Sequence, residues 1–125
     1  MKTIALIEDN PDNRLLVRVI LADSYRVTEF ESGVEALPAL RQSPPDLVLL
    51  DVSLPGMDGP EVLQKIRAEP ALRHLPVVAL TAHAMAGDRD KYLALGFNDY
   101  VAKPIVDETL LLDAIQRGLN PPPTG

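Results

Sequence analysis

The stretch Leu47-Val48-Leu49-Leu50-Asp51 decides how this chain folds. Four apolar residues end in one acid, and Val52-Ser53-Leu54-Pro55-Gly56-Met57-Asp58-Gly59 then turns the chain. A short continuous apolar run bounded by turn residues suits a strand buried on both faces. Two further runs follow the same plan: Thr3-Ile4-Ala5-Leu6-Ile7 leads into Glu8 and Asp9, and Val77-Val78-Ala79-Leu80 leads into Thr81. In open parallel α/β sheets, ligands bind in the crevice outside the carboxyl ends of the strands. If these three strands are parallel neighbours, three carboxylates and a hydroxyl converge at one sheet edge.

Outward from these runs, helical and strand patterns alternate. The first strand covers about Lys2 to Glu8, and Pro11 suits the first turn of a helix that reaches about Ala22. Leu15, Leu16, Val19 and Ile20 read as its buried face, with Arg14 and Arg18 opposite. Tyr25 to Phe30 reads as the second strand. Ser32 to Glu35 matches a capping box, opening a helix with a stripe of Val34, Leu37 and Leu40. Pro38 lies inside that helix, where a kink or an irregular first turn is expected.

Gly59-Pro60 opens a third helix, capped by Asp58, with Val62, Leu63 and Ile66 inward and Pro70 as its bound. Leu75 to Thr81 is the fourth strand. Met85 to Leu95 is a fourth helix ended by Gly96, and its stripe of Met85, Tyr92, Leu93 and Leu95 is weak. Such an element should be held less firmly than the first helix. Asn98 to Ala102 is a short fifth strand. Asp107 caps a fifth helix that carries Leu111, Ile115 and Leu119 inward. Five β-α units in succession imply an α/β fold: a doubly wound, five-stranded parallel sheet with helices on both faces.

Residues 1–119 form one domain in this reading, and the Pro-rich stretch 120–125 is a tail or the start of a linker. Hydrophobic residues make up 46% of the 125, enough for a core. The absence of cysteine excludes disulfides and thiolate chemistry. A net charge of -6 argues against nucleic acid and anionic membrane surfaces as partners. No apolar stretch approaches the ~20 residues of a membrane span, and Glu8 comes too early for a secretory signal. The expectation is a cytoplasmic protein.

Three carboxylates at one edge repel one another unless protons or a cation neutralise them. A hard divalent ion that keeps several waters, such as magnesium, suits Glu8, Asp9 and Asp51. Read alone, Asp9 would be a helix-capping or turn acid. Thr81 could hold an anion beside such a metal or simply end a strand. Lys103 precedes Pro104, and a cis bond there would aim it back over the edge, whereas otherwise it is a solvated turn lysine. Tyr100 is by itself a half-buried strand aromatic, and His74 and His83 read as surface residues. No Gly-Lys-Ser/Thr phosphate loop and no GxSxG are present. What remains is a carboxylate beside a metal site, a hydroxyl and a lysine, and carboxylates can accept phosphoryl groups.

Together, Glu8-Asp9, the segment from Asp51 to Gly59, Thr81-Ala82 and Lys103-Pro104 resemble the receiver domain of bacterial two-component response regulators. The likeness runs to about Leu119. It implies a flavodoxin-like sheet of strand order 2-1-3-4-5 and a signalling switch that is not an enzyme beyond its own phosphorylation and dephosphorylation. Asp51 matches the phosphoacceptor, fed by a sensor histidine kinase or a histidine phosphotransfer protein. Asp9, Asp51 and the Ser53 carbonyl match the ligands of magnesium, or of manganese in its place, and Glu8 acts through metal-bound water. Thr81 and Lys103 match the residues that hold the phosphoryl oxygens, and Tyr100 matches the aromatic switch.

The implied output face is the fourth helix, fifth strand and fifth helix, through which a downstream protein target, or a second copy in a homodimer, would be engaged. Ser53 and His83 stand at positions that vary in this family and influence phosphate loss. Here Ser53 is expected to leave room for attacking water, and His83 to modulate it. Two other readings stand beside the switch. One is a phosphorylation-independent interaction module. The other is a magnesium-dependent phosphatase, against which Ser53 counts because a second acid is usual there.

Overall fold

The computed structural model describes residues 1–82, 88–105 and 107–120. Expectations for His83, Met85 and the Pro-rich end from Pro121 fall outside them. Five strands, β1 (Thr3–Ile7), β2 (Arg26–Phe30), β3 (Leu47–Asp51), β4 (Val77–Thr81) and β5 (Asp99–Ala102), alternate with five helices. The helices are α1 (Pro11–Leu21), α2 (Gly33–Gln42), α3 (Gly59–Ala68), α4 (Asp88–Leu95) and α5 (Glu108–Leu119). The sheet is parallel throughout, in the order β2-β1-β3-β4-β5. This is the flavodoxin-like arrangement. Every residue of β3 and β4 is buried, as their unbroken apolar runs require.

The sheet divides the core in two. Ala5, Ile7, Val48, Leu50, Val77 and Ala79 pack on one face with α2, α3 and Tyr92 of α4. Ile4, Leu6, Leu47, Leu49, Val78 and Leu80 pack on the other with α1 and α5. Asp58 caps α3 through Glu61 N–H at 3.0 Å, and Asp107 caps α5 through Thr109 N–H at 3.0 Å, both as expected. Ser32 caps α2 through Glu35 N–H at 3.2 Å. That helix runs unbroken through the exposed Pro38.

Two helix faces differ from expectation. In α1 the buried residues are Val17 and Leu21, whereas Leu15, Leu16 and Val19 are exposed and Ile20 is half-buried. Arg14, expected on the solvent side, turns inward. Apolar residues occupy nearly all of α1 from Leu15 to Leu21, so spacing alone does not choose a face. The face that is buried carries Val17 and Leu21 into the core and the Arg14 guanidinium onto the carbonyls of Glu8 and Asp9 at 2.9 and 3.1 Å. In α2, Val34 is exposed and the inward residues are Gly33, Ala36, Leu37 and Leu40. A side chain at Gly33 would run into Val62 of α3, so α2 turns its smallest residue toward that contact.

Arg67 ties α3 to the loops beside it. Its guanidinium donates to the carbonyls of Arg73, Leu75 and Gly96 and to Asn98 Oδ1, at 2.6 to 2.9 Å. Gly96, with φ +110°, supplies the left-handed turn that ends α4.

Candidate functional site

Parallel register brings the strand ends level. Ile7 lies opposite Leu50, Asp51 opposite Leu80, and Thr81 opposite Ala102. Glu8, Asp51, Thr81 and Lys103 therefore emerge together at the carboxyl edge. Backbone bonds extend the ladder past the strands: Val52 N–H to the Leu80 carbonyl at 3.0 Å, and Lys103 N–H to the Thr81 carbonyl at 2.8 Å. The Lys103-Pro104 peptide is cis.

Glu8, Asp51 and Thr81 are buried, and Asp9 is exposed. One carboxylate oxygen from each of Glu8, Asp9 and Asp51 lies within 4.8 Å of the others. Three hard oxygen donors gathered this closely fit a hard divalent cation such as magnesium. Lys103 Nζ stands at 3.1 Å from Asp51 Oδ1 and 3.2 Å from Glu8 Oε1. Ser53 N–H donates to Asp51 Oδ1 at 2.9 Å. The turn after Asp51 is held by Gly56, at φ +74°, and by Gly59. A Cβ on Gly59 would stand 2.5 Å from the Asp51 carbonyl oxygen, so only glycine lets α3 start this close to the strand end.

Opposing forces act on the two buried acids. Burial, then the hydrogen bond and negative charge of Asp51, push the Glu8 carboxyl up from 4.5 to about 7, against the pull of Lys103. Burial also works against the Asp51 carboxylate. Hydrogen bonds from Glu8, Ser53 N–H and Lys103 outweigh it and hold Asp51 below the ordinary carboxylate range. Lys103 is likewise disfavoured by burial, but Asp51 and Glu8 hold it above the ordinary lysine range. The site is thus built to keep Asp51 ionised and Lys103 charged beside it.

Tyr100 is half-buried in β5, its ring centroid 5.8 Å from that of Tyr92. Three residues that the sequence did not mark as site residues join the site. Asn13 donates to Glu8 Oε1 at 3.1 Å. Asn10 caps α1, accepting from Asp12 and Asn13 N–H at 2.8 and 3.2 Å, and so sets where Asn13 stands. Tyr92 meets Thr81 through a hydroxyl–hydroxyl bond of 2.7 Å. The Asn10-Pro11 pair was a legible cap signal, but nothing local marks Asn13, and Tyr92 was legible only as a member of the weak apolar stripe of α4, not as a site residue.

A doubly wound parallel sheet with an acidic pocket of Glu8, Asp9 and Asp51 at its carboxyl edge is the arrangement typical of a phospho-accepting site in receiver domains. The chain belongs to the response regulator receiver domain family, which it matches over residues 4–116. Members are typically non-enzymatic signalling switches. The signal transduction histidine-protein kinase BarA of Shigella flexneri is 42% identical over 109 residues, covering 86% of this chain but 12% of that protein. The polar-differentiation response regulator DivK of Brucella ovis is 41% identical over 105 residues, covering 83% of this chain and 85% of that protein. The receiver domain of a Pseudomonas aeruginosa sensor histidine kinase, solved with magnesium in its active-site cleft, superposes with a TM-score of 0.84. It is 38% identical, with 94% of this chain and 97% of that one covered. Among the described residues, no helix is long and apolar enough to cross a membrane.

Proposed function

We propose that this domain is a phosphorylation-activated switch that accepts a phosphoryl group on Asp51. The donor is a phosphohistidine on a sensor histidine kinase or a histidine phosphotransfer protein, and the α4–β5–α5 face engages a downstream protein. The observation that carries this reading is the buried Asp51 with Lys103 Nζ at 3.1 Å and two further carboxylates around it.

In this reading an Asp51 carboxylate oxygen attacks the phosphorus. The P–N bond to the donor imidazole breaks, and its electron pair returns to the ring nitrogen. Lys103 and the Thr81 hydroxyl meet the phosphoryl oxygens, and Tyr100 follows Thr81 inward. Asp9, Asp51 and the Ser53 carbonyl would hold magnesium, or manganese in its place, with Glu8 reaching it through metal-bound water. A magnesium ion held by these residues would supply positive charge to offset the carboxylates and the transferring group.

The test is intact-protein mass after incubation with magnesium and acetyl phosphate, for wild type and Asp51→Asn. One added phosphoryl on the wild type, prevented by prior chelation and absent from the variant, is expected. No adduct from either acetyl phosphate or a phosphohistidine donor would replace the switch with a phosphorylation-independent interaction module of the same fold.

A further inference from the structure

Tyr92 is the one buried residue among those described in α4, and its hydroxyl bonds Thr81 Oγ1 at 2.7 Å. Its ring is seated edge-on against Phe97, centroids 6.1 Å apart, and lies beside Tyr100. Leu93 and Leu95, the other large apolar residues of the helix, are 39% and 41% exposed. A buried bond therefore links the docking of α4 to the orientation of Thr81.

Strand alternation shows which way that bond holds the threonine. Val77 and Ala79 face the α2–α3–α4 layer, so Thr81, next in the same parity, lies on that side. Asp51 shares the parity of Leu47 and Leu49, which face α1 and α5. Reaching a phosphoryl oxygen on Asp51 requires the Thr81 hydroxyl to swing over the strand end into another staggered rotamer. A hydroxyl that swings this way leaves Tyr92 behind.

We propose that Tyr92 is a positioning residue: its hydroxyl latches Thr81 in the unphosphorylated arrangement, and phosphorylation breaks that bond and loosens the seat of α4. This rests on the role given to Thr81 above.

The test is titration with beryllofluoride, a phosphoryl mimic, in the presence of magnesium, read by the fluorine resonance of the bound form. Wild type, Tyr92→Phe, Thr81→Ala and the double variant are compared. Removing one hydroxyl bond that must otherwise be broken should tighten binding by roughly two- to ten-fold in Tyr92→Phe. In the Thr81→Ala background the same change should have a clearly smaller effect, since the hydroxyl that the latch holds is gone. A merely structural role for Tyr92 would act equally in both backgrounds.

Binding by Tyr92→Phe that is unchanged or weaker, or an effect equally large without the Thr81 hydroxyl, overturns the latch and leaves the switch intact. Wild type that binds no beryllofluoride overturns the switch reading and the latch with it.

Discussion

Replacing Glu8 by Gln should stabilise the metal-free domain, and more so as pH rises. Glu8 is fully buried, and its carboxyl is pushed up from 4.5 to about 7 by burial and by Asp51. The unfolded chain ionises this group near 4.5, so between 4.5 and 7 the folded protein binds the extra proton. Stability therefore falls as pH rises through that window, and the penalty is complete above pH 7. A rise of about 2.5 pH units at 1.36 kcal/mol each amounts to ~3 kcal/mol.

Glutamine removes the charge and keeps most of the geometry. Its amide oxygen can still accept from Lys103 and Asn13, and its NH2 can donate to Asp51. It gives up the long contact from Asn10 N–H at 3.4 Å and part of the attraction to Lys103. The net gain should be about 2 kcal/mol at pH 8 and under ~1 kcal/mol at pH 5. Urea denaturation at the two pH values in the presence of chelator measures it. Saturating magnesium should narrow the gap at pH 8 by stabilising the wild type more. A gap independent of pH, or a variant less stable than wild type at pH 8, would refute the account of the acidic pocket.

Other outcomes follow from single contacts. Arg67→Ala should cost about 3 kcal/mol in thermal or urea unfolding, because three carbonyls in two loops lose their donor, and Arg67→Lys should recover less than half of it. Gly56→Ala should destabilise by about 1 kcal/mol through backbone conformation alone, since nothing lies within 4 Å of the added methyl. Ser53 is exposed beside Asp51, so Ser53→Met should lengthen the lifetime of the phosphorylated form by obstructing water. A phosphate-release rate equal to wild type would rule that role out. Lys103→Ala should slow phosphorylation by acetyl phosphate at least tenfold, read as the rate of mass gain, by removing the cation 3.1 Å from Asp51.

The strand ends were legible because they depend on short-range pattern. An apolar run that stops at an acid or a hydroxyl places that residue at a sheet edge, and parallel register then aligns Glu8, Asp51 and Thr81 with no further information. The caps Asp58 and Asp107 and the inward residues of α3 were legible for the same reason: the bonds and spacings involved span a few residues. Tertiary structure decided the rest. Which face of α1 is buried could not be read from hydrophobic spacing, because almost every position from Leu15 to Leu21 is apolar; it is set where Val17 and Leu21 meet the sheet and Arg14 meets the Glu8 and Asp9 carbonyls. The rotation of α2 depends on Val62 of another helix meeting Gly33. The proton affinity of Glu8 depends on its burial, on Asp51 and on Lys103, 95 residues away. The Thr81–Tyr92 bond joins a strand end to a helix whose own sequence shows scarcely an apolar face. Local pattern determined which residues reach the edge, whereas contacts between distant segments decided how they are oriented, charged and coupled.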